Sequence, residues 1–216
     1  MTETDEQIEH HDNGKISGKY RFKKGKLHGE VLLYDEKGQL TDKMTYKNGR
    51  LNGITTIYDE DSQPAQIISY KNDKMDGEAQ FFDEGRLLSK MNYKRDQLDG
   101  LALHYHETGS IRGKVNYKDD KMHGESHWYN EKGGLMQKSH YTEGKFNGES
   151  IEYHENGKMS KYAYFEDNKP VGEIKTYYPN GKEQKIIYHE EGKPYQEDEY
   201  DAKGRKTSKE YKIEKA

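Results

Sequence analysis

Ten histidines and forty acidic residues are the groups in this 216-residue chain most able to do chemistry. His104-Tyr105-His106 places two imidazoles on one strand face at i and i+2, a spacing that can share a metal ion. The chain has no cysteine, and no carboxylate at a fixed spacing completes the pair. His28 and His123 fall where Asn52, Asp76, Asp99 and Asn147 stand elsewhere in the chain, which marks them as turn residues. No Gly-x-Ser-x-Gly, His-Glu-x-x-His, Walker or dinucleotide-binding pattern occurs, and Asp59-Glu60-Asp61 does not fit a calcium loop. The sequence therefore predicts no catalytic, cofactor-binding or metal-binding residues. The chemistry left to it is that of a binding surface.

What must position such a surface is a period. Gly29, Gly53, Gly77, Gly100, Gly124, Gly148 and Gly172 are separated by 23 or 24 residues, and a fixed period of that length means one supersecondary unit stacked repeatedly. Five residues after each comes an aromatic: Tyr34, Tyr58, Phe82, Tyr105, Tyr129, Tyr153 and Tyr177. A second aromatic row, Tyr46, Tyr70, Tyr93, Tyr117, Tyr141 and Phe165, precedes Asn-, Asp- or Gly-containing turns. Short alternating runs between Gly-bearing turns are hairpin signals. Gly38, Gly109, Gly133, Gly157 and Gly181 sit where positive φ is expected. The turn at 61–64 lacks that glycine, the one at 84–86 is a residue short and the one at 190–192 a residue long. The predicted fold is all-β: an elongated, single-layer antiparallel array of hairpins, about 16 strands at roughly 4.8 Å spacing, with no residue far from solvent.

Composition alone argues the other way. Leu, Ile, Val and Phe total 31 residues and mean hydropathy is −1.37, values usual for disordered chains. Nineteen tyrosines supply the apolar bodies that aliphatics do not. The 36 basic and 40 acidic residues, a net charge of −4, are interleaved, so neither a nucleic-acid stripe nor an anionic-lipid patch is expected. The absence of cysteine and of an apolar leader points to the cytoplasm. Along the chain, residues 1–12 read as a mobile acidic tail. Residues 13–28 read as a capping half-repeat, 29–195 as seven hairpin repeats, and 196–216 as a degenerate closing hairpin and tail.

The stretches Tyr46-Lys-Asn-Gly-Arg-Leu-Asn-Gly53, Tyr117-Lys-Asp-Asp-Lys-Met-His-Gly124 and Tyr141-Thr-Glu-Gly-Lys-Phe-Asn-Gly148 resemble the MORN repeat in its bacterial variant. With a single tryptophan, Trp128, the chain departs from the Trp-containing eukaryotic form. The resemblance implies an immunity or antitoxin protein that occludes the active site of a cognate secreted toxin, encoded by the adjacent gene. The alternative it implies is a MORN scaffold or phospholipid-binding module. Tyr34-Asp35-Glu36-Lys37-Gly38 and Tyr200-Asp201-Ala202-Lys203-Gly204 also look like the Tyr-Asp repeats of toxin shells.

Alternation separates two faces. Counting from the repeat glycine, position five is always aromatic. Position four varies (Leu33, Ile57, Phe81, His104, Trp128, Glu152, Thr176), as does position six (Asp35, Asp59, Asp83, His106, Asn130, His154, Tyr178). A constant row beside varying ones predicts a protein-binding surface at Phe81, His104, His106, Trp128, Asn130, His154 and Tyr178, with small Ala79, Ala102 and Ser126 at position two leaving a partner room to approach. In a stack where each repeat touches only its neighbours, Tyr117→Ala should cost about 3–5 kcal/mol and Tyr211→Ala far less. Thermal melts of the two variants check this, and equal melting points would contradict a tyrosine ladder.

Overall fold

The structure is a computed structural model and describes residues 4–207 together with the strand at 211–212; the Tyr211 side chain lies outside the described residues. Two compact units divide the chain, Met1–Gly109 and Ser110–Ala216. The first contains β1 (Thr4–His10), β2 (Ile16–Lys23), β3 (Lys26–Leu27), β4 (Gly29–Tyr34), β5 (Leu40–Lys47), β6 (Arg50–Tyr58), β7 (Pro64–Lys71), β8 (Lys74–Asp83), β9 (Arg86–Lys94), β10 (Gln97–Leu98) and β11 (Gly100–Tyr105). The second contains β12 (Ile111–Lys118), β13 (Lys121–Tyr129), β14 (Leu135–Thr142), β15 (Lys145–Tyr153), β16 (Met159–Glu166), β17 (Lys169–Pro170), β18 (Gly172–Tyr177), β19 (Glu183–Glu190), β20 (Lys193–Glu199) and β21 (Tyr211–Lys212). Within each unit successive strands pair antiparallel, as the period predicts. The described residues contain no helix.

Two kinds of turn alternate. One is a two-residue turn with both residues at positive φ, as at Asn48-Gly49 (53° and 84°) and Asn72-Asp73 (52° and 69°), whose twist suits a hairpin. The other is a longer loop closed by paired backbone bonds, as where Asp35 N–H donates to Gln39 and Gly38 N–H to Asp35. The short connection at 84–86 is a two-residue turn of the first kind, Glu84-Gly85, which accounts for the single 23-residue spacing.

Residues 4–10 do not form the expected tail. They are β1, pairing with β2 from Thr4↔Lys23 to His10↔Ile16, because the edge of β2 offers a full row of backbone groups that a strand can satisfy whatever its side chains. Its seven side chains are all exposed.

The expectation that no residue lies far from solvent is also corrected. Position two of each repeat is the floor of one face: Val31 is 2% exposed, Ala79 0%, Ala102 1% and Ser126 1%. Their cross-strand partners continue that floor, with Ala79 between Ile68 and Met91, and Ser139 between Ser126 and Ser150. The second aromatic row shares this face, paired to Leu51, Met75, Met122 and Phe146. Tyr141, Phe146 and Phe165 stack in sequence at centroid distances of 4.5 and 5.4 Å. Large side chains closing over small ones give a thin sheet a sealed interior. Ala79, Ala102 and Ser126 therefore do not leave room for a partner; they are already covered.

The repeat glycines sit where strand register slips. Lys43 pairs with Thr56 but Tyr46 with Leu51, so β6 carries extra residues around Gly53, whose φ is 135°. The preceding strand closes the bulge with a side chain: Thr45 Oγ1 donates to Ile54 O at 3.1 Å, and Asn92 and Asn116 do the same to Leu101 and Glu125. A Cβ on Gly53 would lie 2.9 Å from Thr45 Cβ, whereas one on Gly14, at φ 80°, would meet nothing within 4 Å. Both Gly→Ala changes add backbone strain of about 1–3 kcal/mol, and Gly53→Ala adds overpacking of about 1–3 kcal/mol. Urea unfolding should rank Gly53→Ala as clearly the worse variant; the reverse order would contradict the bulge.

Candidate partner-binding surface

The seven residues expected to meet a partner divide into two groups. In the first unit Phe81 and His104 both pair with Ser89, which lies between them and is buried, so the three form one row across β8, β9 and β11. In the second unit Trp128 pairs with Gly113 and Gln137. A Cβ on Gly113 would fall 2.6 Å from Trp128 Cζ3, which means the indole lies flat on the Gly113 backbone. Trp128 is thus part of the fold as well as of the surface, and Trp128→Ala would uncover that backbone.

Several position-six side chains hold the long loops, in two ways. At three places the side chain caps its own loop: Asp35 Oδ1 accepts Lys37 and Gln39 N–H at 2.9 and 2.8 Å, Asp59 Oδ1 accepts Asp61 and Gln63 N–H, and Asn130 Oδ1 accepts Gly134 N–H at 2.8 Å. At His154 and Tyr178 the side chain reaches the following repeat. His154 Nε2 bonds Tyr177 O at 2.8 Å and Tyr178 Oη donates to Tyr200 O at 2.9 Å. A carbonyl only accepts, so His154 Nε2 carries the proton. His106 turns its loop through its carbonyl, which accepts Gly109 N–H. Asn130, His154 and Tyr178 are therefore committed to loop structure, a job that local spacing does not reveal.

A signal for it was present. The runs His11-Asp-Asn-Gly-Lys15, His154-Glu-Asn-Gly-Lys158 and Tyr178-Pro-Asn-Gly-Lys182 each make three bonds to the next loop. In the second unit Asn156 Nδ2 donates to Pro179 O and Lys158 Nζ to Asn180 O, while Asn180 and Lys182 repeat this on Ala202 and Lys203. In the first unit His11, Asn13 and Lys15 bond Tyr34, Glu36 and Lys37 in the same way.

The opposite face carries the position-five aromatics among charged pairs. Lys43 meets Glu30 at 2.7 Å and Lys138 meets Glu125 at 2.8 Å, while Lys19 and Lys114 lie 5.7 Å from the centroids of Tyr34 and Tyr129. The Lys138 contact holds the Glu125 carboxyl below its ordinary range and raises Lys138. Sequence reasoning missed a shallow groove of about 430 Å³ on this face in the second unit, lined by Met159, Tyr162, Tyr164, Val171, Glu173, Lys175 and Tyr177. Tyr164 and Val171 are 40% and 41% exposed. Among the described residues no group of three or more His, Asp or Glu side chains is placed to hold a metal ion.

With this geometry in hand, five stretches match the MORN repeat variant: residues 27–48, 51–72, 98–119, 146–167 and 170–182. Each of these stretches is similar to a MORN-variant repeat and falls on strands and turns described above. No curated protein sequence matches it. Among solved structures it is similar to a chain of the TcdB2-TccC3-Cdc42 complex at 12% identity, covering 92% of this chain and 13% of that one, with a TM-score of 0.20. A chain of the Photorhabdus luminescens Tc holotoxin pore matches at 14% identity, covering 94% of this chain and 14% of that one, with a TM-score of 0.23. The chain thus spans about one seventh of those proteins, and superpositions this loose carry no argument for the toxin-shell resemblance.

The loop caps generate a pH prediction. Backbone N–H groups, Gln39 first, hold the Asp35 carboxyl below its ordinary value, and Arg205 does so for Asp201. A carboxyl depressed on folding adds stability that is present above its unfolded value and is lost as pH falls through the lower folded value. Asn accepts the same bonds without titrating, as Asn130 does, so Asp35→Asn should flatten the acid side of the melting-temperature profile while leaving neutral pH nearly unchanged. An unaltered acid slope would show that the cap does not titrate with folding.

Proposed function

We propose that this chain of MORN-variant repeats is a protein-binding immunity factor that acts in the cytoplasm on a cognate toxin encoded by the adjacent gene and occludes the toxin's active site. The observation that carries the reading is the varying row, Phe81 and His104 in one unit and Trp128 in the other, standing beside a floor sealed by small residues. The position-four residues change from repeat to repeat on a constant base, as residues selected for contact do. Aromatic side chains on a rigid base are the usual anchors of protein interfaces. The runner-up is a phospholipid-binding scaffold. Against it, lysines of the open face are matched by carboxylates, Lys43 with Glu30, Lys138 with Glu125 and Lys175 with Glu173, whereas anionic headgroups call for uncompensated basic clusters.

Isothermal titration of the adjacent gene product, with growth rescue on toxin expression, tests the reading. Because Trp128 also covers Gly113, Phe81→Ala and His104→Ala are the decisive variants. Each should weaken binding by about tenfold or more with an unchanged circular dichroism spectrum, while Lys47→Ala, at an exposed turn, should not. Failure of the wild type to bind, or tight binding to anionic vesicles instead, would overturn it.

A further inference from the structure

One row of the open face holds lysine at five of its eight positions, Lys19, Lys43, Lys90, Lys114 and Lys138, with Ile67, Tyr162 and Ile186 at the others. In three repeats a lysine twelve or thirteen residues after the position-one glutamate meets it: Lys43 and Glu30 at 2.7 Å, Lys138 and Glu125 at 2.8 Å, and Lys90 and Glu78 at 3.9 Å. Lysines of the same row, Lys19 and Lys114, lie against the position-five rings Tyr34 and Tyr129 fifteen residues further on. On this face the chain thus places an ammonium against a carboxylate in some repeats and against a ring face in others, the two kinds of contact that suit a cation. In the repeat that begins at Gly148 the row holds Tyr162 instead. Glu149 makes no ion pair among the described residues; its only bond of this kind is from Tyr162 Oη at 3.4 Å.

The replacement opens the groove already described. Strand register sets Glu149 beside Tyr164, and Glu173 beside Tyr188, in one line across the face. Tyr162 faces Lys175 on the neighbouring strand. Lys175 does not serve Glu149, because it is held by Glu173 at 2.7 Å and Glu183 at 3.8 Å. Around a wall of tyrosines, Glu149, Glu173 and Glu183 therefore face the committed Lys175, and Lys138, the other lysine near Glu149, is bonded to Glu125; Tyr164 and Val171 are partly exposed. Excess negative charge beside exposed aromatic faces selects a cation with a flat or apolar stem.

We propose that the groove between Tyr162, Tyr164, Val171 and Tyr177, with Glu149 and Glu173 at its border, is a seat for a basic side chain, arginine or lysine, of a protein partner. The incoming cation supplies from outside what Lys43 and Lys138 supply from within. The seat does not depend on that partner being a toxin.

The probe is N-acetyl-arginine amide, titrated into the full chain and followed by the ring resonances of Tyr162, Tyr164 and Tyr177, with N-acetyl-citrulline amide as the neutral isostere. Arginine amide should shift these resonances saturably, with citrulline amide at least about fivefold weaker. Glu149→Gln and Tyr164→Ala change exposed side chains and should each weaken binding to a similar degree, while Glu78→Gln, whose site keeps its own lysine, should not. Equal shifts with citrulline amide, no saturation, or shifts of the same size at Tyr34 and Tyr129 would overturn the proposal. The citrulline comparison is made on the wild type, so it decides even if a variant misfolds.

Discussion

A sheet this poor in aliphatic side chains depends on its turns making bonds to their neighbours. At five of the two-residue turns the second residue gives its backbone N–H to a carbonyl 21 or 22 residues earlier: Gly49 to Leu27, Asp73 to Leu51, Asp96 to Met75, Gly144 to Met122 and Asn168 to Phe146. Where that residue is Asp or Asn its side chain returns the bond, as Asp73 Oδ1 does to Leu51 N–H at 2.8 Å and Asn168 Oδ1 to Phe146 N–H at 2.7 Å. The long loops on the other edge do the same with His, Asn, Lys and Tyr side chains. Hydrogen bonds of this kind are individually worth about 0.5–1.5 kcal/mol, but they recur in nearly every repeat and satisfy turn groups that would otherwise face water. They also fix the spacing of the hairpins, which lets a row of residues on one face be read as a row at all.

The same economy governs the sealed face. Position two is Ala or Ser in four of the seven repeats, where the second aromatic row and its Leu, Met or Phe partners close over it from both sides. Serine can stand where alanine does, since Ser139 Oγ and Ser150 Oγ bond one another at 2.9 Å, whereas the buried Thr55 Oγ1 of the first unit has no hydrogen-bond partner. In the first unit the strip is Val31, Ile68 and Ala79; in the second it passes through three serines. Position four borders it and tolerates Leu, Phe, His, Trp, Glu or Thr because only one side of such a residue is covered.

The period, the two aromatic rows and the hairpin pairing were legible in the sequence because each is a local pattern with a fixed offset. The roles of Asn130, His154 and Tyr178 were not. Their partners lie either four residues away in a loop of unknown geometry or 22 to 23 residues away across a repeat, and alternation alone says nothing about either. Alternation also tells that two faces differ without telling which is covered, so Ala79, Ala102 and Ser126 read as open ground when they are the floor. Composition misjudged residues 4–10, since a strand edge recruits backbone and an acidic side-chain set neither helps nor prevents it. Tyr162 could have been found: it follows Lys90, Lys114 and Lys138 at the same spacing, and a change of residue type after three lysines is visible without coordinates.

Native-state hydrogen exchange at the turn amides tests the central claim most directly. If repeats are held together through their edges, the N–H groups of Gly49, Asp73, Gly144 and Asn168, all in exposed turns, should exchange nearly as slowly as those of the buried strand residues Ala79 and Ser139. Fast exchange at those four amides, with protection confined to strand centres, would show that the hairpins are joined by their strands alone and that the turn bonds contribute nothing to the stack.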